Sequence, residues 1–582
     1  MNGRSGLVTF FLFMFLAVMI LLQILSMMQS DRLYERLNVL LDRFQGSTAT
    51  VRVAQDKATP RTADLPMEEY PGDEGDWLIW RLGGEPSTLM AIHTSGTMYT
   101  RYIVSGNIFE SLLRYDPDAF KLEPFLAESY EVSADGLEMS FRLRDDIHFS
   151  DGHPITADDV IFTYETIVNP GVDAASLANY YRDVDRVEKI NDLEVRFYMK
   201  KVYFKSLEFC GGMEILPKHI YEFDDPDEFN KHVSDPVGSG PYVFEKWDVA
   251  QQVVLRRNEN YWGHKPKIKK IVYPFITNNT AAVQALRTGN IDYMRPLPDQ
   301  YHELSNEAEF TKDFQCLSYW HPAVGYFWIG WNQDRLFFRD KRVRRALTYL
   351  IDREKICKHL LRNPEAIVPT GNFYIFGPQS NPSIKPWPYN PKKAEQLLDE
   401  SGWVDTDADG IRDKDGVPFR FQYMIVSGLA LHEQVAKLVK DAAAKVGIEV
   451  TLEPYEGSVF FQKAQDREFD AINMAWAGGL AGDPYQIWHS SQIGNRGSNY
   501  VGFNNAEADA LIEEARKTLD DDKRNQMYHL FHSILHEEQP YTFVYTRPEQ
   551  RFLDKRFKNV NIHKLGLDEH EWYVPKNNQK YK

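Results

Sequence analysis

Between Met139 and Val168 the hydrophobic period of the chain changes from two to 3.6, and this change limits the fold more than any other feature. Met139–Arg144 (MSFRLR) alternates apolar and polar residues, as a half-buried strand does. Asp151-Gly152 is a turn signal, because glycine tolerates positive φ. Thr156 then precedes a helical stripe of Val160, Tyr164, Ile167 and Val168. Asp159 stands three residues after Thr156, the spacing of a capping box with Asp in place of Glu or Gln. Asp158 and Asp159 fall in the first turn, where the helix dipole favours each negative charge by about 0.3–1 kcal/mol. The acids therefore read as starters of a helix, not as a catalytic pair.

Similar changes of period recur without a simple repeat, so the body is mixed α/β. Trp77–Leu82 reads as a strand, Ile92–Arg101 as a small polar loop, and Asn107–Leu113 as a helix. Gly238 and Gly240 mark a turn, and Pro241 after them removes a backbone donor. A strand follows, so no phosphate cradle forms there. Phe338–Ile356 places Val343, Ala346, Leu347, Leu350 and Ile351 on one helical face, with Arg and Lys turned to solvent.

At 582 residues the chain exceeds the roughly 250–300 at which a single core stops growing, so two or three lobes are expected. The net charge of -17 argues against nucleic acid, whose phosphates need basic patches. Three cysteines (Cys210, Cys316, Cys357) have no zinc-type spacing. Leu7–Met28 is free of charge and long enough, at about 1.5 Å per residue, to cross a hydrocarbon core of roughly 30 Å. Met-Met-Gln-Ser after Ser26 is a poor cleavage site. An uncleaved transmembrane signal anchor is expected, with a cleaved signal as the alternative. Residues 1–6 would then be cytoplasmic and the body would lie outside. Residues 29–76 read as a short helix and a flexible linker.

No GxSxG, HExxH, GxGxxG or P-loop pattern occurs, which counts against an enzyme; no catalytic residue and no cofactor is assigned. Asp405, Asp407, Asp409 and Gly410 begin like a calcium loop, but its twelfth position is Gly416 and the bidentate Glu is missing. His529, His532 and His536 fall on one side of a helix at a spacing that suits a transition metal; exposed histidines on a surface helix are the alternative.

The ordered blocks of the body resemble a known family. Phe149, Asp151, Gly152, Pro154, Thr156, Ala157, Asp159, Val160 and Phe162 match the pattern FxDGxPxTAxDVxF. IFESLLRYD (108–116), LAESYEVSADG (126–136), GSGPYVFEKW (238–247), RNENYWG (257–263) and LRTGNIDYM (286–294) follow in order. So do DKRVRRALTYLIDREKI (340–356), NPKKAEQLLDESGW (390–403), WHSSQ (488–492) and NYVGFNNAEADALIEEAR (499–516). Together they resemble the extracytoplasmic solute-binding proteins, family 5, of peptide- and nickel-type ABC importers.

That resemblance implies a two-lobed, hinged clamshell of the periplasmic-binding-protein fold with an extra inserted subdomain. Lobe I would hold 77–113, 236–324 and 546–575, the insertion 114–235, and lobe II 325–545. The chain crossings would fall in Gly325–Asn332 and Tyr541–Thr546. It also implies ligand contacts from Thr94, Ser95, Met98 and Tyr99, from Trp328, Trp331 and Asn332, and from Trp476, Gly479, Asp483 and Tyr485. Core packing is the alternative for Trp476, and a turn cap for Asp483. The family's amine-pairing Asp is replaced by Gly479, so blocked peptides, oligosaccharides or other polar solutes stay open beside ordinary peptides. The implied partners are a small peptide-like solute, ABC permease subunits and, through the anchor, the inner membrane; the body is expected to be a monomer. A sensory ectodomain working through a partner is the competing reading.

Overall fold

The computed structural model describes residues 61–62, 71–494 and 497–581. The span expected at Leu7–Met28 and most of the expected linker lie outside them. Among the described residues no helix is long and apolar enough to cross a membrane.

Three sheets organise the body. One is built of Trp77–Ile79, Lys270–Pro274, Gln252–Arg257 and Tyr242–Asp248 in that spatial order. A bridge from Trp80 to Tyr293 joins it to a second group, Tyr293–Met294, Glu549–Asp554 and Phe314–Tyr319. An antiparallel sheet of Ala127–Val132, Glu138–Leu143, Glu194–Met199 and Val184–Asn191 carries the helix Ala157–Val168. Its apolar face is not a separate core. Met139, Phe141, Val195 and Phe197 pack into the same buried cluster as Leu78, Tyr273 and Trp572.

The third sheet runs Glu449–Tyr455, Arg420–Val426, Ala471–Trp476, Tyr326–Trp331 and Tyr541–Tyr545. Its core is distinct, built on Phe327, Ile329, Trp331, Leu347, Phe421 and Val435. Every residue of Tyr326–Trp331 is buried, as expected for a strand covered on both faces. The chain passes between the two cores twice, at 320–325 and at 546–548. Both aromatic strands expected to make the crossings lie wholly inside the third sheet.

The local reading of the Asp-rich turn holds in detail. Gly152 has φ +91°. The Asp159 carboxylate accepts from the Thr156 N–H at 2.9 Å and from the Lys218 N–H at 2.9 Å. Asp158 pairs with Lys189 and Asp151 with His219. Elsewhere the reading is corrected. The helix expected at Asn107–Leu113 lies earlier, at Met98–Val104, because Thr97 and Thr100 form a reciprocal cap and Gly106 turns the chain with positive φ. Arg344, expected at the surface, is buried; its guanidinium donates to the carbonyls of Phe338, Arg339 and Glu538. The body also begins before Trp77 and ends after Pro575. Gly75 donates to Lys267, Arg257 pairs with Glu74, and Tyr581 stacks on Trp77 at 4.6 Å. All three cysteines are free.

Candidate functional site

Strand register gathers aromatic rings on one face of the third sheet. Tyr326 lies opposite Trp476, and Trp328 opposite Met474 and Phe543. Trp328 and Tyr541 stack with centroids 3.8 Å apart and planes 5° apart. Trp476 stacks more loosely on Trp328, at 6.0 Å, and on Tyr500, at 5.7 Å. Trp328 is fully buried while Trp476 is half-buried, so the stack runs from core to rim. The Trp328 Nε1 and the Tyr326 hydroxyl have no partner among the described residues.

The crossing segment 320–325 lies flush against the loop after Trp476. A Cβ at Gly325 would sit 1.5 Å from the Trp476 carbonyl oxygen, and one at Gly478 would sit 2.3 Å from that of Pro322. Only glycine permits this backbone approach. Gly479 is exposed with open space around it. Gln379 then fixes the loop through two bonds to Gly482, at 2.8 and 3.0 Å.

Asp483 is held by internal partners. Its Oδ2 accepts from the Tyr203 hydroxyl at 2.8 Å and from Arg516 Nε at 2.9 Å, and its Oδ1 accepts from the Tyr485 N–H. The Arg516 guanidinium lies over the rings of Tyr203 and Tyr485, at 4.8 and 4.2 Å. Burial alone would lower the Arg516 pKa, but Asp483 and Tyr203 raise it above the ordinary value. Tyr203 follows the antiparallel sheet that packs into the first core, whereas Asp483 and Arg516 come from the chain between the two crossings, which builds the second. This cluster therefore bridges the two cores.

The other expected contacts separate. Thr94, Ser95 and Met98 are exposed, and Tyr99 lies against Gly83 and Gly84. Trp331 is in the second core, with its Nε1 bonded to Thr542 at 3.1 Å. Asn332 binds the carbonyls of Phe469 and Arg467. Sequence reasoning missed Tyr203, Tyr500, Arg516 and Tyr541. Their contacts span up to 280 positions along the chain; the family block 499–516 covers Tyr500 and Arg516 and the expected crossing covers Tyr541, but neither shows what these residues touch.

Neither metal candidate assembles as expected. The three histidines do not converge: His529 binds the Pro378 carbonyl, His532 binds Thr370 and Asn381, and His536 stacks on Trp387. His532 and His536 are also buried, so a surface helix with exposed histidines is equally wrong. In the acidic loop it is Asp413, not Asp409, that approaches Asp405 and Asp407. Asp409 instead caps the turn through the Ile411 N–H.

Residues 121–499 match the model of the bacterial extracellular solute-binding proteins, family 5, middle region. The chain belongs to this family. It is 32% identical over 506 residues to the oligopeptide-binding protein AppA of Bacillus subtilis, covering 85% of this chain and 90% of AppA. The nickel-binding periplasmic protein of Escherichia coli is 27% identical over 461 residues, covering 77% of this chain and 85% of its own. The solved structure of Bacillus subtilis AppA in complex with a nonapeptide superposes with a TM-score of 0.71 at 29% identity, covering 87% of this chain and 100% of that one. The fold is the two-lobed one of family 5 solute-binding proteins. The family is one of binding proteins, and this chain is a solute-binding component.

Proposed function

We propose that the protein captures a peptide-like solute between its lobes and presents it to the permease of an ABC importer. The observation that carries this reading is the pair of cores joined by two short crossings, with a graded aromatic stack from Trp328 to Trp476 beside one of them. A solute touching both lobes stabilises the closed form alone. Moving a population from 1:99 to 99:1 closed takes about 5.5 kcal/mol of differential affinity. Ring stacking and hydrogen bonds to a solute are of a size to supply it. Trp476, Tyr485, Gly479 and the rim Thr94–Tyr99 form the contact set, while Trp331 and Asn332 act as scaffold beneath it. The two lobes meet at the crossings 320–325 and 546–548, and Leu7–Met28 tethers the body to the membrane, which raises its effective concentration at the permease.

One observation favours a second reading. Gly479 offers no acid, and Asp483 is neutralised by Arg516, so a free α-amine lacks its usual partner here. A blocked peptide or an oligosaccharide fits that loop better than an ordinary peptide does. Native mass spectrometry of the full-length protein in detergent decides between them. Peptide masses released on denaturation are expected; carbohydrate masses alone would replace the peptide reading.

A further inference from the structure

We infer that Arg547 receives a carboxylate of the bound solute, an inference that rests on the peptide reading above. Arg547 is the second residue after the strand Tyr541–Tyr545, in the return crossing between the lobes. It is half-buried, yet among the described residues it makes neither a hydrogen bond nor an ion pair. Its surroundings do not neutralise it. Arg295 and Arg551 lie within electrostatic reach, and both donate to the one carboxylate between them, Glu549. Three guanidiniums thus share a single committed acid. Glu569, the other carboxyl near Arg551, makes no ion pair among the described residues, and burial beside Asp568 pushes its pKa up to about 7.

A partly desolvated cation without a partner is costly and is retained where something completes it. Burial holds the Arg547 pKa below its ordinary value, as expected for a charge left uncompensated. The planar fork of a guanidinium matches a carboxylate through two parallel bonds. Glu549 cannot serve all three arginines, so an incoming anion completes the cluster. Placed at the crossing, that contact also forms close to the moving joint.

The carboxylate has two sources, a peptide C-terminus or an acidic side chain. Three pools of synthetic pentapeptides separate them: free acids without Asp or Glu, C-terminal amides without Asp or Glu, and amides carrying one Glu. Retention by the full-length protein is read by native mass spectrometry. At least tenfold preference for one or both carboxylate-bearing pools over the neutral amides is expected. Arg547→Gln should remove that preference, and Arg547→Lys should restore part of it. Equal retention of neutral amides and acids by the unaltered protein overturns the role of Arg547 while the peptide reading stands. Failure of all three pools to bind overturns both. If Arg547→Gln folds poorly, the preference of the unaltered protein and the Lys variant decide.

Discussion

At the scale of single residues, His532 shows how burial sets a titration. Its Nδ1 accepts the Asn381 N–H at 3.0 Å and its Nε2 lies 3.0 Å from the Thr370 hydroxyl, so the neutral ring with a proton on Nε2 fits the site. Burial pushes its pKa down to about 4. The unfolded chain binds this proton near pH 6.5, the folded chain only near 4. The stabilisation is therefore complete above pH 6.5 and falls as pH drops from there toward 4. The loss is on the order of 3 kcal/mol, since one unit corresponds to about 1.4 kcal/mol. Urea titrations at several pH values should show this acid slope, and His532→Gln should flatten it between pH 6.5 and 4. The sequence displayed this histidine as one of three on a helix face but could not show that two of them face inward. That follows from Thr370, Asn381 and Trp387, which come from a distant segment.

At the scale of elements, the loop after Glu194–Met199 docks on the helices Ala506–Lys517 and Asp521–Glu538. The Phe204 N–H donates to the Arg516 carbonyl at 3.0 Å, and Arg524 lies over the Phe204 ring at 4.4 Å. Tyr203 adds its bond to Asp483. Tyr203→Phe removes that hydroxyl and leaves the Asp483–Arg516 pair intact. A hydrogen bond to a charged group contributes about 1.5–3 kcal/mol, so the open form should gain roughly tenfold or more in population. Small-angle scattering of the solute-free protein should then show a larger radius of gyration; an unchanged radius would rule out a role for this contact in closure. Elements with local causes were legible. The Gly152 turn, the Thr156–Asp159 cap and the strand Glu138–Leu143 all stand where their periodicity put them. The helix at Met98–Val104 was not, because its seven residues are too few to display a helical period. The site was legible only through family blocks. Nothing local in the sequence says that Trp328 stacks on Tyr541, or that Asp483 is matched by Arg516.

At the scale of the whole molecule, one arginine joins distant parts of the first lobe. Arg556 donates to Asp76 at 2.9 Å, to Asp292 at 2.7 Å and to Asp554 at 3.0 Å, and Asp292 also accepts the Ile79 N–H. Asp76 and Asp292 are shut away from solvent. Removing one member of a buried charged cluster typically costs about 3–5 kcal/mol, because the remaining charges are stranded. Arg556→Met should lower stability by that amount in equilibrium unfolding, with the signal carried by the first lobe. A loss under about 1 kcal/mol, the range of exposed ion pairs, would show that solvent reaches the cluster.

The same knot fixes an order of events during synthesis. The third sheet lacks its last strand until Tyr545 has been made, and Asp76 and Asp292 wait unmatched until Arg556 follows. Neither half of the molecule can finish folding while the ribosome is still upstream of Pro540, however early its other strands emerge. Both cores therefore lack a closing partner for nearly the whole of translation.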